Sequence, residues 1–79
     1  MSLTVFRDGK YRAFFFSRAE PRAHVHVSSP EGEAKFWLEP LIALATHTGL
    51  TPRELRRMQQ IVEDHRDEIV RSWKAHFEG

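Results

Sequence analysis

Apolar and polar residues alternate in two short runs near the middle of the chain, His24–Ser28 and Glu33–Leu38. A period of two residues is typical of β-strands, and the Ser29–Gly32 segment between the runs consists of turn-forming residues. The pattern therefore predicts a β-hairpin closed by this turn. Its predicted cross-strand pairs are His24–Trp37, Val25–Phe36, His26–Lys35, Val27–Ala34 and Ser28–Glu33.

This register divides the hairpin into an apolar face and a polar face, because successive side chains of a strand point to opposite sides. The apolar face, which we expect in the core, comprises Val25, Val27, Ala34, Phe36 and Leu38. The polar face comprises His24, His26, Ser28, Glu33, Lys35 and Trp37. A slip of one residue would mix the two sets, so the pattern specifies the register. Candidate functional groups are therefore expected on the polar face.

A second hairpin is predicted before this one. The strand-like runs Leu3–Arg7 and Tyr11–Ser17 are separated by Asp8-Gly9, a strong hairpin turn signal. Three consecutive phenylalanines in the second run, Phe14, Phe15 and Phe16, cannot all point into a core. We expect at least one on the opposite face, where it would form a surface for self-association or for a partner.

The C-terminal third predicts one long helix, from Pro52 to His76. Thr51 and Glu54 have the spacing of a capping box, and Pro52 occupies the first helical position. Apolar residues then recur at intervals of three and four. The predicted stripe is Leu55, Met58, Val62, His65, Ile69, Trp73 and His76. Before it, 41–45 (LIALA) is interpreted as one or two helical turns that end at Gly49.

These elements predict an α+β fold, with two β-hairpins forming a four-stranded, mostly antiparallel sheet packed by the long C-terminal helix. The 79 residues suit a single domain, with a β-rich part at 1–39 and a helical part at 40–79. Cysteine is absent, which excludes disulfides and thiolate metal sites. The apolar runs are too short to cross a bilayer and the N-terminus has no signal-peptide layout, so we expect a cytoplasmic protein without membrane contact.

Charge is unevenly distributed along a chain whose formal net charge is +1. Residues 1–22 carry five basic and two acidic side chains, and the basic loop Arg18–Arg22 directly precedes His24. A basic segment of this kind indicates either phosphate contacts or simply a solvated edge. Arg18 and Arg22 are thus candidate binding residues, and Trp37 is a candidate for stacking on a nucleobase.

The His24-Val25-His26 segment is the sharpest chemical signal. Two imidazoles at i and i+2 stand about 7 Å apart on one strand face, a spacing that suits an acid–base pair acting on a phosphate. With Lys35 and Glu33 nearby, these residues form the candidate catalytic set. Two other interpretations stay open: a metal pair completed by Glu33 or His47, and a polar face with no chemistry. No metal or cofactor is specified by any motif, and we expect none.

Four segments resemble the family of small bacterial domains described as domain of unknown function 4160. They read FFFSRAEP, HVHV, GEAKFWLEP and EDHRDEIVRSW, and the resemblance extends from about Val5 to Phe77. It implies a compact α+β domain that acts as the toxin of a toxin–antitoxin-type pair, with a small antitoxin-like partner protein encoded by a neighbouring gene. No established catalytic residues accompany the family. Family members typically have histidine directly after the proline-containing loop, whereas Arg22 and Ala23 intervene here.

Two functions of different classes follow. The first is a toxin-like module that acts on RNA through the His24/His26 face. The second is a non-catalytic domain that binds a small partner protein, through Tyr11–Phe16 or through the helix. The sequence leaves open whether the protein is an enzyme, and homo-oligomerisation through Phe14–Phe16 is a further expectation.

Overall fold

The computed structural model describes residues 2–17 and 21–78. The described chain is an α+β fold, as predicted, although the sheet has five strands rather than four and the helical part has two helices rather than one. The elements are β1 (Ser2–Asp8), β2 (Tyr11–Phe16), β3 (His24–Ser29), β4 (Gly32–Trp37), β5 (Ala43–Thr48), α1 (Pro52–Asp64) and α2 (Arg66–Phe77).

The five strands form one antiparallel sheet in sequential order, from β1 to β5. Both predicted hairpins are confirmed. Gly9 turns β1 into β2 with a φ of 59°, in the left-handed region that favours glycine. In the β3–β4 hairpin all five predicted pairs are present, from His24–Trp37 to Ser28–Glu33. The alternating pattern and the turn position therefore specified this register correctly.

Strand β5 replaces the predicted helical turns at 41–45, and that prediction was wrong. The helical part consequently begins at Pro52 rather than at 40. Strand β5 pairs with the edge of β4 that β3 leaves free, so the backbone groups along this edge have hydrogen-bond partners. The apolar composition of LIALA does not reveal this pairing. Gly49, with a φ of 76°, follows this strand instead of a helix. A Cβ at Gly32 would collide with the carbonyl oxygen of Thr48, so glycine allows the two strands to approach here.

The capping box at the start of α1 is confirmed. The Thr51 side chain accepts from the Glu54 backbone N–H at 3.2 Å, and the Glu54 carboxylate accepts from the Thr51 backbone N–H at 3.0 Å. The helix does not continue unbroken to His76, however. It is interrupted at His65, where φ is −108° and ψ is 17°.

Two contacts of the His65 side chain accompany the interruption. Its Nδ1 donates a hydrogen bond to the Ile61 carbonyl oxygen at 2.9 Å, and its ring stacks on Phe6 with the centroids 4.0 Å apart. His65 is thus a half-buried histidine bonded to the backbone at the edge of the predicted apolar stripe. In the part of the chain that the structure describes, neither helix is long and apolar enough to cross a membrane.

Both helices pack on the same face of the sheet, and the core lies between these two layers. All five residues of the predicted apolar hairpin face are buried there, with the helix residues Met58, Val62, Ile69 and Trp73 against them. His76 is exposed and does not belong to the buried stripe. The opposite face of the sheet carries no helix. We call it the outer face.

Candidate functional site

Cross-strand pairing assigns side chains from all five strands to the outer face. Residues that pair across neighbouring strands share a face, so the set follows from the register. It comprises Ser2, Thr4, Arg7, Arg12, Phe14, Phe16, His24, His26, Ser28, Glu33, Lys35, Trp37, Ala43, Thr46 and Thr48. The predicted polar face of the β3–β4 hairpin is thus the centre of a wider surface.

His24 differs from its prediction. Its register is as expected, but its side chain is buried with 2% of its surface exposed, rather than open on the polar face. Its Nδ1 donates a hydrogen bond to the Arg22 carbonyl oxygen at 2.8 Å, and its ring lies 5.2 Å from the Trp73 ring of α2. The rings of His26 and Trp37 also lie near it, with centroids 5.2 Å and 6.0 Å away, so three neighbouring rings surround the buried imidazole.

His26 lies on the outer face among aromatic rings. Its ring stacks beside Phe14 at 5.3 Å between centroids, and the edge of Phe16 approaches at 4.6 Å. The His26 ring is 5.2 Å from the His24 ring. The two histidines therefore adjoin, as the i, i+2 spacing predicts, although only His26 borders solvent.

An open groove of about 220 Å³ begins beside His26. It is lined by His26, Glu33, Ala34, Lys35, Thr46, His47 and Thr48. His26 Nδ1 lies 3.7 Å from a carboxylate oxygen of Glu33, close enough for an ion pair when the imidazole is protonated. Three of the four candidate catalytic residues, His26, Glu33 and Lys35, thus border one groove, and His24 does not.

The three consecutive phenylalanines alternate between faces, as predicted. Phe15 is fully buried in the core, with its ring against Trp73 at 5.5 Å. Phe16 is on the outer face and 43% exposed. Phe14 is also on the outer face but only 5% exposed. Of the three, Phe16 alone offers a ring surface to a ligand.

Arg12 explains why Phe14 is covered. The guanidinium carbon lies 4.5 Å from the Phe14 ring centroid, a cation–π contact on the outer face. The same guanidinium donates hydrogen bonds to Thr4 Oγ1 at 2.9 Å and to Ser2 Oγ at 2.5 Å. These acceptors are neutral hydroxyls, so they leave the positive charge uncompensated. Sequence reasoning missed Arg12, whose place beside β3 depends on pairing between the two hairpins.

Trp37 lies at the other side of the outer face, in contact with two cations. The Arg22 guanidinium carbon is 4.2 Å from the indole ring centroid, and Lys35 Nζ is 4.5 Å from it. Arg22 also donates a hydrogen bond to the Glu39 carbonyl oxygen at 3.3 Å. The sequence-predicted binding residues Arg22 and Trp37 are therefore in contact. Arg18 lies outside the described residues.

A metal site is not assembled within residues 2–17 and 21–78. No three histidine, aspartate or glutamate side chains in these ranges have the geometry to hold an ion. His47 borders the groove from β5, where it pairs with Ala34 rather than with a histidine. A third ligand from Glu33 or His47 to the His24/His26 pair is therefore not formed in the described structure.

The fold and the outer face define a small α+β domain in which a five-stranded antiparallel sheet carries two helices on one side and an aromatic, basic surface on the other. Residues 11–74 match the model of the domain of unknown function DUF4160. The chain belongs to this family. No curated protein and no solved structure matches the chain significantly.

Proposed function

We propose that the protein binds single-stranded RNA on its outer face. The observation that carries this proposal is the direct pairing of Arg7 with Arg12 across β1 and β2. Like charges opposite each other in a sheet are destabilising, and neither arginine forms an ion pair within the described chain. A polyanion bound over these strands would relieve the repulsion.

The charge of the whole outer face supports a phosphate ligand. Arg7, Arg12 and Lys35 lie on its strands, and Arg22 reaches over it from the loop before β3. Among the described strand residues of this face, Glu33 is the one carboxylate. By contrast, the six basic and six acidic side chains from Arg53 onward balance each other. The positive potential is thus concentrated on the side without helices, where a nucleic acid has access.

Aromatic rings on the outer face favour single strands over duplexes. Bases are free to stack on aromatic side chains when they are unpaired, and β-sheets that present such rings are a common single-strand platform. Phe16, which is exposed, and Trp37, which is half-buried, provide two rings on the outer face. Hydroxyl side chains, including Thr46 and Thr48 beside the groove, offer hydrogen bonds to ribose 2′-hydroxyls, which is why RNA is proposed rather than DNA.

Fluorescence anisotropy with a labelled eight-nucleotide RNA tests the proposal. We expect saturable binding of this RNA. The affinity should be lower for single-stranded DNA of the same sequence, and lowest for the RNA annealed to its complementary strand. Equal binding of all three would indicate a non-specific cation surface. No binding at low salt would refute the proposed function.

The toxin role is a further part of the proposal. Sequestering or cleaving RNA is a means by which a member of a toxin–antitoxin-type pair arrests growth, and the groove beside His26, Glu33 and Lys35 is where chemistry would take place. Expression with and without the neighbouring gene tests this role. Growth arrest that disappears in Arg7→Gln/Arg12→Gln would connect toxicity to the outer face, and arrest that persists would separate the two.

Partner-protein binding is the second candidate, and exposed apolar residues favour it. Leu41, just before the edge strand β5, is 75% exposed, and Leu44, on that strand, is 40% exposed. An uncharged edge strand can accept another strand through its backbone. Co-purification with a small partner encoded beside it, lost in Leu44→Lys, would support this function. Retention of the partner by Leu44→Lys would argue against this edge.

A further inference from the structure

The indole of Trp37 has two cations against it, Arg22 and Lys35, and Arg22 is weakly held. The Arg22 guanidinium carbon lies 4.2 Å from the ring centroid, and the one hydrogen-bond acceptor of this side chain within the described residues is the Glu39 carbonyl oxygen at 3.3 Å. That distance is long for an N–H···O bond. Cation–π contacts at exposed sites contribute only about 0.5–1 kcal/mol. The exposed Arg22 side chain can therefore leave the ring at little cost.

The other rings near the outer face are held differently. Phe14 lies between the guanidinium of Arg12 and the ring of His26, and Arg12 is fixed by two hydroxyl acceptors. Displacing that cation would break two hydrogen bonds and expose a buried ring. Trp37 is half-buried, with Lys35 also over its ring, but the Arg22 side of its cover is readily displaced.

Resting on the proposed function, we infer that Trp37 is a nucleobase-stacking position and that Arg22 is displaced from it by the incoming base. The freed guanidinium then pairs with the phosphate next to that base. Arginine suits this exchange because its planar cation stacks on an indole and also donates paired hydrogen bonds to phosphate oxygens. The ligand class is one nucleotide of a single strand, with its base on the indole and its phosphate on Arg22.

Tryptophan fluorescence reports the stacking step directly. The chain has two tryptophans, and Trp73→Phe leaves Trp37 as the only one. In this variant, we expect an eight-nucleotide RNA to quench the emission, with the same midpoint as its anisotropy titration. Binding by anisotropy without quenching would overturn the inference while leaving the proposed function in place. Absence of both signals in the wild type would refute the proposed function itself.

A second route covers the case in which Trp73→Phe fails to fold, since Trp73 is 3% exposed in the core. Wild type and Trp37→Leu are then compared, with buried Trp73 as the common background. We expect quenching in the wild type and none in Trp37→Leu, together with a fall in affinity of roughly 5- to 150-fold for the variant, the equivalent of one stacked base. Unchanged affinity in a folded Trp37→Leu would overturn the inference.

Arg22 variants test the exchange. Arg22→Ala should keep the quenching of Trp37, because the ring stays available to the base. The slope of log K against log[salt] should become smaller in magnitude by about 0.7, as expected for the loss of one phosphate contact. Arg56→Gln on the exposed side of α1 is the matched control, with an unchanged slope expected. An Arg22→Ala slope equal to that of the wild type would show that Arg22 only covers the indole.

Discussion

Nδ1 of His24 donates a hydrogen bond to the carbonyl oxygen of Arg22, 2.8 Å away, and the imidazole is almost completely buried. This contact ties the Arg22 backbone to β3, and the Arg22 side chain reaches Trp37 from there. The buried hydrogen bond indicates that His24 stabilises the fold, whereas its catalytic role stays a prediction.

His24→Ala should therefore lower the free energy of unfolding by about 2 kcal/mol, through loss of a buried hydrogen bond and of packing against Trp73. Urea denaturation measures the change. The matched control is His76→Ala, since His76 is an exposed histidine on α2, and it should change stability by less than about 0.5 kcal/mol. Equal stability of the two variants would show that the His24 contacts contribute little.

Phe15 and Phe16 provide a second comparison, because adjacent residues have opposite environments. Phe15→Ala removes a fully buried ring and should cost about 3–5 kcal/mol, enough to unfold much of a domain of this size. Phe16→Ala should leave the thermal midpoint almost unchanged and weaken RNA binding. Circular dichroism melting compares them. A Phe16→Ala midpoint as low as that of Phe15→Ala would place Phe16 in the core.

Thr51→Ala removes the side-chain acceptor for the Glu54 backbone N–H and should lower stability by about 1 kcal/mol. RNA binding should be retained, because α1 lies on the other side of the sheet. Urea denaturation and anisotropy check the two statements. An unchanged urea midpoint would mean that the cap does not stabilise α1.

Glu54 makes the same cap dependent on pH. Hydrogen bonds from the backbone and the side chain of Thr51 lower the pKa of this carboxyl below its ordinary value of 4.5. Its contribution to stability is present above that ordinary value and is lost as the pH falls through the lowered pKa. Glu54→Gln should thus be less stable than the wild type at pH 7, with the difference shrinking toward pH 2.5. A difference that is constant between these pH values would contradict the assignment.

The sequence predicts the β3–β4 hairpin in full because two local signals agree there. The Ser29–Gly32 turn and the alternation on both sides of it define the same register, and a slip would move Val25 out of the core. The capping box at Thr51 is equally local. In each case the residues that determine the structure are close together in the chain.

Features that depend on distant contacts were not predictable in this way. LIALA is compatible with helix or strand, and pairing with β4 decides for the strand. The interruption at His65 carries no glycine or proline signal and coincides with stacking on Phe6, which is far away in sequence. The register places His24 on the polar face of the hairpin, but its burial depends on rings that include Trp73 of α2, which is distant in sequence. The Arg7–Arg12 pair also appears only when β1 and β2 are aligned.

The salt dependence of RNA affinity tests the central claim most directly. With about four phosphate contacts on the outer face, from Arg7, Arg12, Arg22 and Lys35, log K should fall with log[salt] at a slope of about −3 for a single strand. Arg7→Gln should reduce the magnitude of that slope by about 0.7, Arg7→Gln/Arg12→Gln by about twice as much, and the helix control Arg56→Gln should leave it unchanged. A slope that is the same in all four proteins, or reduced only by Arg56→Gln, would contradict RNA binding on the outer face.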